Sequence, residues 1–129
     1  MSDRIPVWPN LLYTDARAAI RFLVEAFGFT ERVVHLSPDG TGVTHAELDW
    51  PAGGGVMVGS FQPGHDIAPM PDTGLVYLVT DEPDAGYERA VAAGATVVRG
   101  LRDEDYGSRG FTVRDPAGVY WSFGTYAGE

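Results

Sequence analysis

At 129 residues with 44% hydrophobic content, the chain is long enough for one substantial core and too short for two ordinary domains. A formal charge of −9, from 18 acidic and 9 basic side chains, repels polyanions, so nucleic acid is not an expected partner and a cationic small molecule is favoured. Cysteine is absent, which removes disulfides, thiolate metal sites and thiol nucleophiles; no long apolar run provides a membrane span or secretory leader, and the cytoplasm is the expected compartment.

The opening segment IPVWPNLLY, residues 5–13, reads as a strand. Asp15 follows as a helix N-cap, and Ala16, Ile20, Leu23 and Phe27 then recur at helical spacing until Gly28 stops the pattern. Three β-rich segments come next, TERVVHLS, GVTHAELDW and GGVMVGSF, the last two joined by a turn rich in proline and glycine. The triple glycine at 53–55 leads into a strand and not a helix, so it is not a phosphate loop.

A linker at residues 62–72, QPGHDIAPMPD, separates this half from a second one. There GLVYLVT reads as a strand, and Asp81 is the expected cap of a helix with Glu82 and Asp84 in its first turn and Gly94 at its end. The strands ATVVRG, YGSRGFTVRD and VYWSFGTY complete the chain.

The halves are copies of one unit. Thr14-Asp15 recurs as Thr80-Asp81, Gly28 as Gly94 and Thr30 as Thr96, each 66 positions on; Pro51-Ala52-Gly53 then recurs as Pro116-Ala117-Gly118, and Gly59 as Gly124, 65 positions on. The sequence therefore predicts an α+β fold: a single domain over 1–129 built from βαβββ modules at 1–61 and 73–129. A unit of about 60 residues is marginal alone, so the halves are expected to pack on each other or on a second chain.

This doubled βαβββ unit, with RDPAGVYWSFGTY near its end and YTDARAAIRFLVEAFGF near its start, resembles the glyoxalase, bleomycin-resistance and extradiol dioxygenase superfamily, also called vicinal oxygen chelate proteins. The resemblance covers essentially the whole chain. It implies two half-barrel sheets curved around a cleft, and commonly a homodimer. It does not imply one reaction, because function resides in the site and not the fold.

The resemblance also implies where a divalent metal would bind, one donor from each of four strands; those positions fall here on Trp8, Glu47, Leu75 and Ser122, with Asn10 as the alternative to Trp8. Only Glu47 is a conventional ligand, so no built-in metal is expected. His45 and Glu47 share one face of a strand and form the candidate catalytic pair, either as half of a metal site or as a metal-free acid–base pair. Without lysine there is no Schiff-base nucleophile, and no serine lies in a nucleophile elbow.

Side-chain alternation assigns Trp8, Asn10, His45, Glu47, Met57, Leu75, Tyr77, Tyr120 and Ser122 to the cleft face, and Trp121 with Phe123 to the opposite face beneath the helices. The expected pocket has Trp8, Tyr77 and Tyr120 as walls and Asn10, His45, Glu47 and Ser122 as orienting groups, suited to an aromatic or cationic ligand. Superfamily members that confer antibiotic resistance without chemistry hold drugs in such clefts. The leading expectation is thus a metal-free small-molecule binder; the alternative is a metal-dependent lyase, isomerase or dioxygenase using His45 and Glu47. Whether the modules pair within a chain or across a dimer, and the roles of His35, His65 and Arg109, stay open at this level.

Overall fold

The computed structural model describes residues 4–129. Strand β1 (Asn10–Tyr13) leads to helix α1 (Ala16–Phe22), which runs on as one π-helical turn (Leu23–Phe27), and then to β2 (Thr30–Leu36), β3 (Val43–Asp49) and β4 (Gly55–Ser60). The second module repeats the order with β5 (Leu75–Val79), α2 (Pro83–Ala92), β6 (Thr96–Asp103), β7 (Arg109–Arg114) and β8 (Tyr120–Gly124). Each module forms its own four-stranded sheet, ordered β1-β4-β3-β2 and β5-β8-β7-β6, in which the first strand is parallel to the last and the rest pair antiparallel. Among the described residues, no helix is long and apolar enough to cross a membrane.

Local chemistry explains the ends of these elements. Pro6 and Pro9 have no N–H to donate, so β1 starts only at Asn10 instead of spanning the expected residues 5–13, although the Pro9 carbonyl still accepts from Met57 N at 2.8 Å. The Asp15 carboxylate caps α1 by accepting from Ala18 N at 3.1 Å. The corresponding cap of α2 is Glu82 and not Asp81: proline is pre-set for the first helical position, so Pro83 fixes the start, and Thr80 Oγ1 accepts from Glu82 N at 3.1 Å.

The first helix does not stay α-helical to Gly28. Its last turn widens to π, and two carbonyls there, Glu25 O and Val24 O, accept from the Arg89 guanidinium of α2 at 2.8 and 3.2 Å. Gly28 then ends the helix with φ +90°, and an added Cβ would lie 3.0 Å from Arg89 Nη1. Glycine here answers both the backbone conformation and the approach of the other module.

One buried cluster runs through both modules, from Leu11, Tyr13, Leu23 and Val58 to Leu78, Val113, Trp121 and Phe123. Phe27 joins them, its ring centroid 5.4 Å from that of Trp121 and 5.0 Å from that of Phe123, so both residues of β8 lie on the helix side as the alternation predicted.

Two hydrogen bonds brace the modules at related places. In each, the residue before the Pro-Ala-Gly turn of one module reaches the end of the first strand of the other: Trp50 Nε1 donates to Val79 O at 2.9 Å, and Asp115 Oδ2 accepts from Tyr13 OH at 2.6 Å. Trp50 and Asp115 occupy matching positions of the repeat, as do Tyr13 and Val79. The duplication kept the geometry and reversed the donor direction.

Candidate functional site

The helices and the core cover one face of each sheet. On β3, Val43, Ala46 and Leu48 are buried, whereas His45, Glu47 and Asp49 are only partly covered. Cross-strand pairing aligns Asn10, Met57, Glu47 and Val33 in one row on the uncovered face of the first sheet. The matching row of the second sheet is Tyr77, Ser122, Thr112 and Arg99. Leu75 and Tyr120 pair one step along, and remain 68% and 42% exposed. The expected cleft residues therefore do sit on the open faces, yet they fall into two groups, one per sheet.

His45 and Glu47 form the sharpest contact of the first group. His45 Nε2 lies 2.8 Å from Glu47 Oε2, with the two side chains 36% and 24% exposed. A hydrogen-bonded pair at this partial burial can pass a proton to or from a bound molecule or hold a ligand's donor group. His35, across from His45 on β2, stacks on it with ring centroids 6.4 Å apart and planes 18° apart.

Trp8 is half-buried, lying against Gly55 with the Arg32 guanidinium carbon 6.0 Å from its ring centroid. Arg32 is in turn held by Asp49, Nε to Oδ1 2.9 Å.

In the second group Tyr77 is fixed by its own hydroxyl, which donates to Tyr126 O at 2.7 Å in space that a Cβ on Gly124 would fill. Burial, the largest influence, raises its pKa above the ordinary tyrosine value. The phenol is thus spoken for, and Tyr77 offers a ligand its ring. Tyr120 presents an exposed ring beside Arg114, whose guanidinium carbon is 6.0 Å from the ring centroid. Ser122 Oγ is 2.7 Å from Thr112 Oγ1.

The four positions where the superfamily resemblance places metal donors carry an indole, a carboxylate, an exposed alkyl group and a hydroxyl already bonded to its neighbour. Among the described residues no group of three or more His, Asp or Glu side chains is arranged to hold a metal ion. The donor set does not fit a resident metal centre.

Arg109 and His65 make contacts within the chain. Arg109 bridges two elements, donating to both carboxylate oxygens of Asp84 on α2 at 2.8 and 3.2 Å and to Asp103 Oδ1 at 3.2 Å. His65 Nδ1 accepts from Ile67 N at 3.2 Å within the linker.

Two cavities adjoin the open faces. A crevice of about 420 Å³ runs between the modules, with Val7, Pro9, Trp50, Val76 and Val79 in its wall. A smaller one of about 150 Å³ lies on the second sheet among Tyr77, Arg99, Tyr106, Thr112 and Ser122. Neither is lined by Asn10, His45 or Glu47.

Thr112 and Arg99 escaped the sequence reading. Thr112 was findable, because the 65-residue offset maps Glu47 onto it. Arg99 was not, because β6 carries register shifts on both sides of it that break the alternation.

Comparison with known proteins gives consistent relatives. The sequence model for the Glyoxalase/Bleomycin resistance protein/Dioxygenase superfamily matches residues 6–123. The crystal structure of TioX from Micromonospora sp. ML1 superposes with a TM-score of 0.78 at 33% identity, covering 92% of this chain and 95% of that one. A superfamily member from Sphaerobacter thermophilus DSM 20745 gives 0.70 at 21% identity, covering 93% and 97%. An uncharacterized protein of Mycobacterium tuberculosis H37Rv is 37% identical over 123 residues, 90% of this chain and 71% of its own length.

Proposed function

Because the chain belongs to the glyoxalase/bleomycin resistance protein/dioxygenase superfamily, we propose that it is a small-molecule-binding protein that works without a built-in metal. Its cleft takes an aromatic or cationic ligand, with Trp8, Tyr77 and Tyr120 as walls and Asn10, His45, Glu47 and Ser122 as orienting groups. The observation that carries this reading is the pair of uncovered sheet faces, each combining aromatic surface with a few polar handles.

The cleft is complete only in a homodimer. Each face is one wall, and the exposure of Leu75, Tyr77 and Tyr120 supports closure of that wall by a second copy. The working compartment in this reading is the cytoplasm, where sequestration of a drug-like molecule would confer resistance without chemistry.

Titration with a cationic planar aromatic such as acridinium tests the reading. Saturable quenching of tryptophan fluorescence is expected, and Trp8→Ala should weaken binding roughly tenfold through lost stacking. Wild-type affinity in Trp8→Ala would remove Trp8 from the wall, and no saturable binding would remove the function.

A second reading makes the chain a divalent-metal-dependent lyase, isomerase or dioxygenase, and the 2.8 Å contact of His45 with Glu47 is what favours it. Metal analysis of protein purified without chelator separates the two. The binding reading expects far less than one ion per chain, whereas a stoichiometric ion lost in Glu47→Ala would establish the enzyme.

A further inference from the structure

The second sheet carries donors that the reading above does not use. Thr112 stands between Ser122 and Arg99 in one cross-strand row. Its hydroxyl lies 2.7 Å from that of Ser122, so one proton is shared between the two oxygens and the other remains free to donate outward.

Arg99 has donors to spare. Among the described residues its side chain makes no hydrogen bond, and its single ion pair is a loose 3.6 Å contact with Glu104. Glu104 is already engaged by Arg102, which donates to its two oxygens at 2.9 and 3.3 Å. Glu104 is thus shared by two guanidiniums, and Arg99 holds the looser, longer contact of the two. Asp103, next to it, is taken up by Arg109 at 3.2 Å.

Arg99, Thr112 and Ser122 line the 150 Å³ cavity together with the rings of Tyr77 and Tyr106 and with Glu104, whose carboxylate Arg102 already holds. A planar guanidinium and a free hydroxyl beside aromatic surface match a carboxylate attached to an aromatic ring. We infer that Arg99, Thr112 and Ser122 form a carboxylate subsite, so that the ligand is an aromatic acid whose ring lies on Tyr77 and whose donor or cationic substituent, where present, points to His45 and Glu47. This inference rests on the cleft reading above and adds the polarity of the ligand: acceptor end on the second sheet, donor end on the first.

Three probes of one shape isolate the charge: 2-naphthoate, 2-naphthylmethanol and 2-naphthylmethylammonium, titrated calorimetrically into the full chain. The wild type should bind the carboxylate roughly tenfold tighter than the alcohol, the worth of one charge-assisted hydrogen-bond pair. Arg99→Gln should abolish that preference while holding alcohol affinity within about twofold, and Thr112→Val should reduce it by about threefold.

Equal binding of carboxylate and alcohol by the wild type, or an undiminished preference in Arg99→Gln, overturns the subsite and leaves the cleft reading standing. Loss of alcohol binding in a normally folded Arg99→Gln assigns the residue to shape and also overturns the subsite. Failure of all three probes to bind overturns both.

Discussion

Asp115 shows how much one side chain can hold. It is 3% exposed; Oδ2 accepts from Tyr13 OH and Trp121 Nε1 at 2.6 and 3.0 Å, and Oδ1 from the backbone N–H groups of Ala117, Gly118 and Val119. Replacement by alanine leaves several buried donors unpaired, so Asp115→Ala should lose about 3 kcal/mol or more in urea denaturation. A loss below about 1 kcal/mol would show that water replaces the carboxylate. From the sequence, the Asp-Pro-Ala-Gly run announced a turn, but nothing local revealed that this aspartate ties the turn to a strand 102 residues away.

Tyr13, its partner, adds a pH signature. Burial, and then the nearby Asp115 carboxylate, raise its pKa well above the ordinary tyrosine value, so the folded protein keeps the phenol proton that the unfolded chain releases at about pH 10. The native state then binds more protons than the unfolded one. Stability is fully present below pH 10 and falls as pH rises beyond it. Denaturation midpoints between pH 8 and 11 should show that fall in the wild type and a weaker one in Tyr13→Phe. Identical profiles would remove Tyr13 as the cause.

At the scale of elements, the repeat made the order of strands and helices readable, because each module restates the other's periodicity and punctuation. Capping was less readable where two candidates adjoin: Asp81 and Glu82 have the same chemistry, and Pro83 decided between them. The π turn was not readable at all, since the Arg89 contact that accompanies it comes from the other module. Gly28 belongs to that joint. Gly28→Ala forces a left-handed residue to carry a Cβ against Arg89, and should cost about 1 to 2 kcal/mol and lower the melting temperature. An unchanged melting temperature would show that the joint is loose.

The candidate site was legible in the same uneven way. Alternation placed Asn10, Glu47, Tyr77 and Ser122 on open faces, but the rows needed the structure: the 66-residue offset maps Asn10 onto Val76, which pairs with Trp121, whereas Tyr77 is the residue that pairs with Ser122. What alternation cannot supply is the distance between the faces, which depends on how the two modules meet through Phe27, Trp50 and Tyr13. Nor does residue type reveal occupation: Tyr77 reads as an aromatic wall, and that its hydroxyl is taken by Tyr126 O, leaving only the ring for a ligand, is seen only in the structure.

For the whole molecule, we propose that the open face of the first sheet in one copy and that of the second sheet in another wall a single ligand cleft. Complementation between two blocked chains tests it most directly. Glu47→Trp fills the first wall and Ser122→Trp fills the second, so each homodimer should fail to bind the tightest of the naphthalene probes. A heterodimer purified through two different tags would regain one intact cleft, formed by the unaltered wall of each chain. Calorimetry should then find one probe bound per heterodimer at wild-type affinity. Heterodimers that bind no better than either parent, or a wild-type chain that is monomeric when it binds, would contradict the claim.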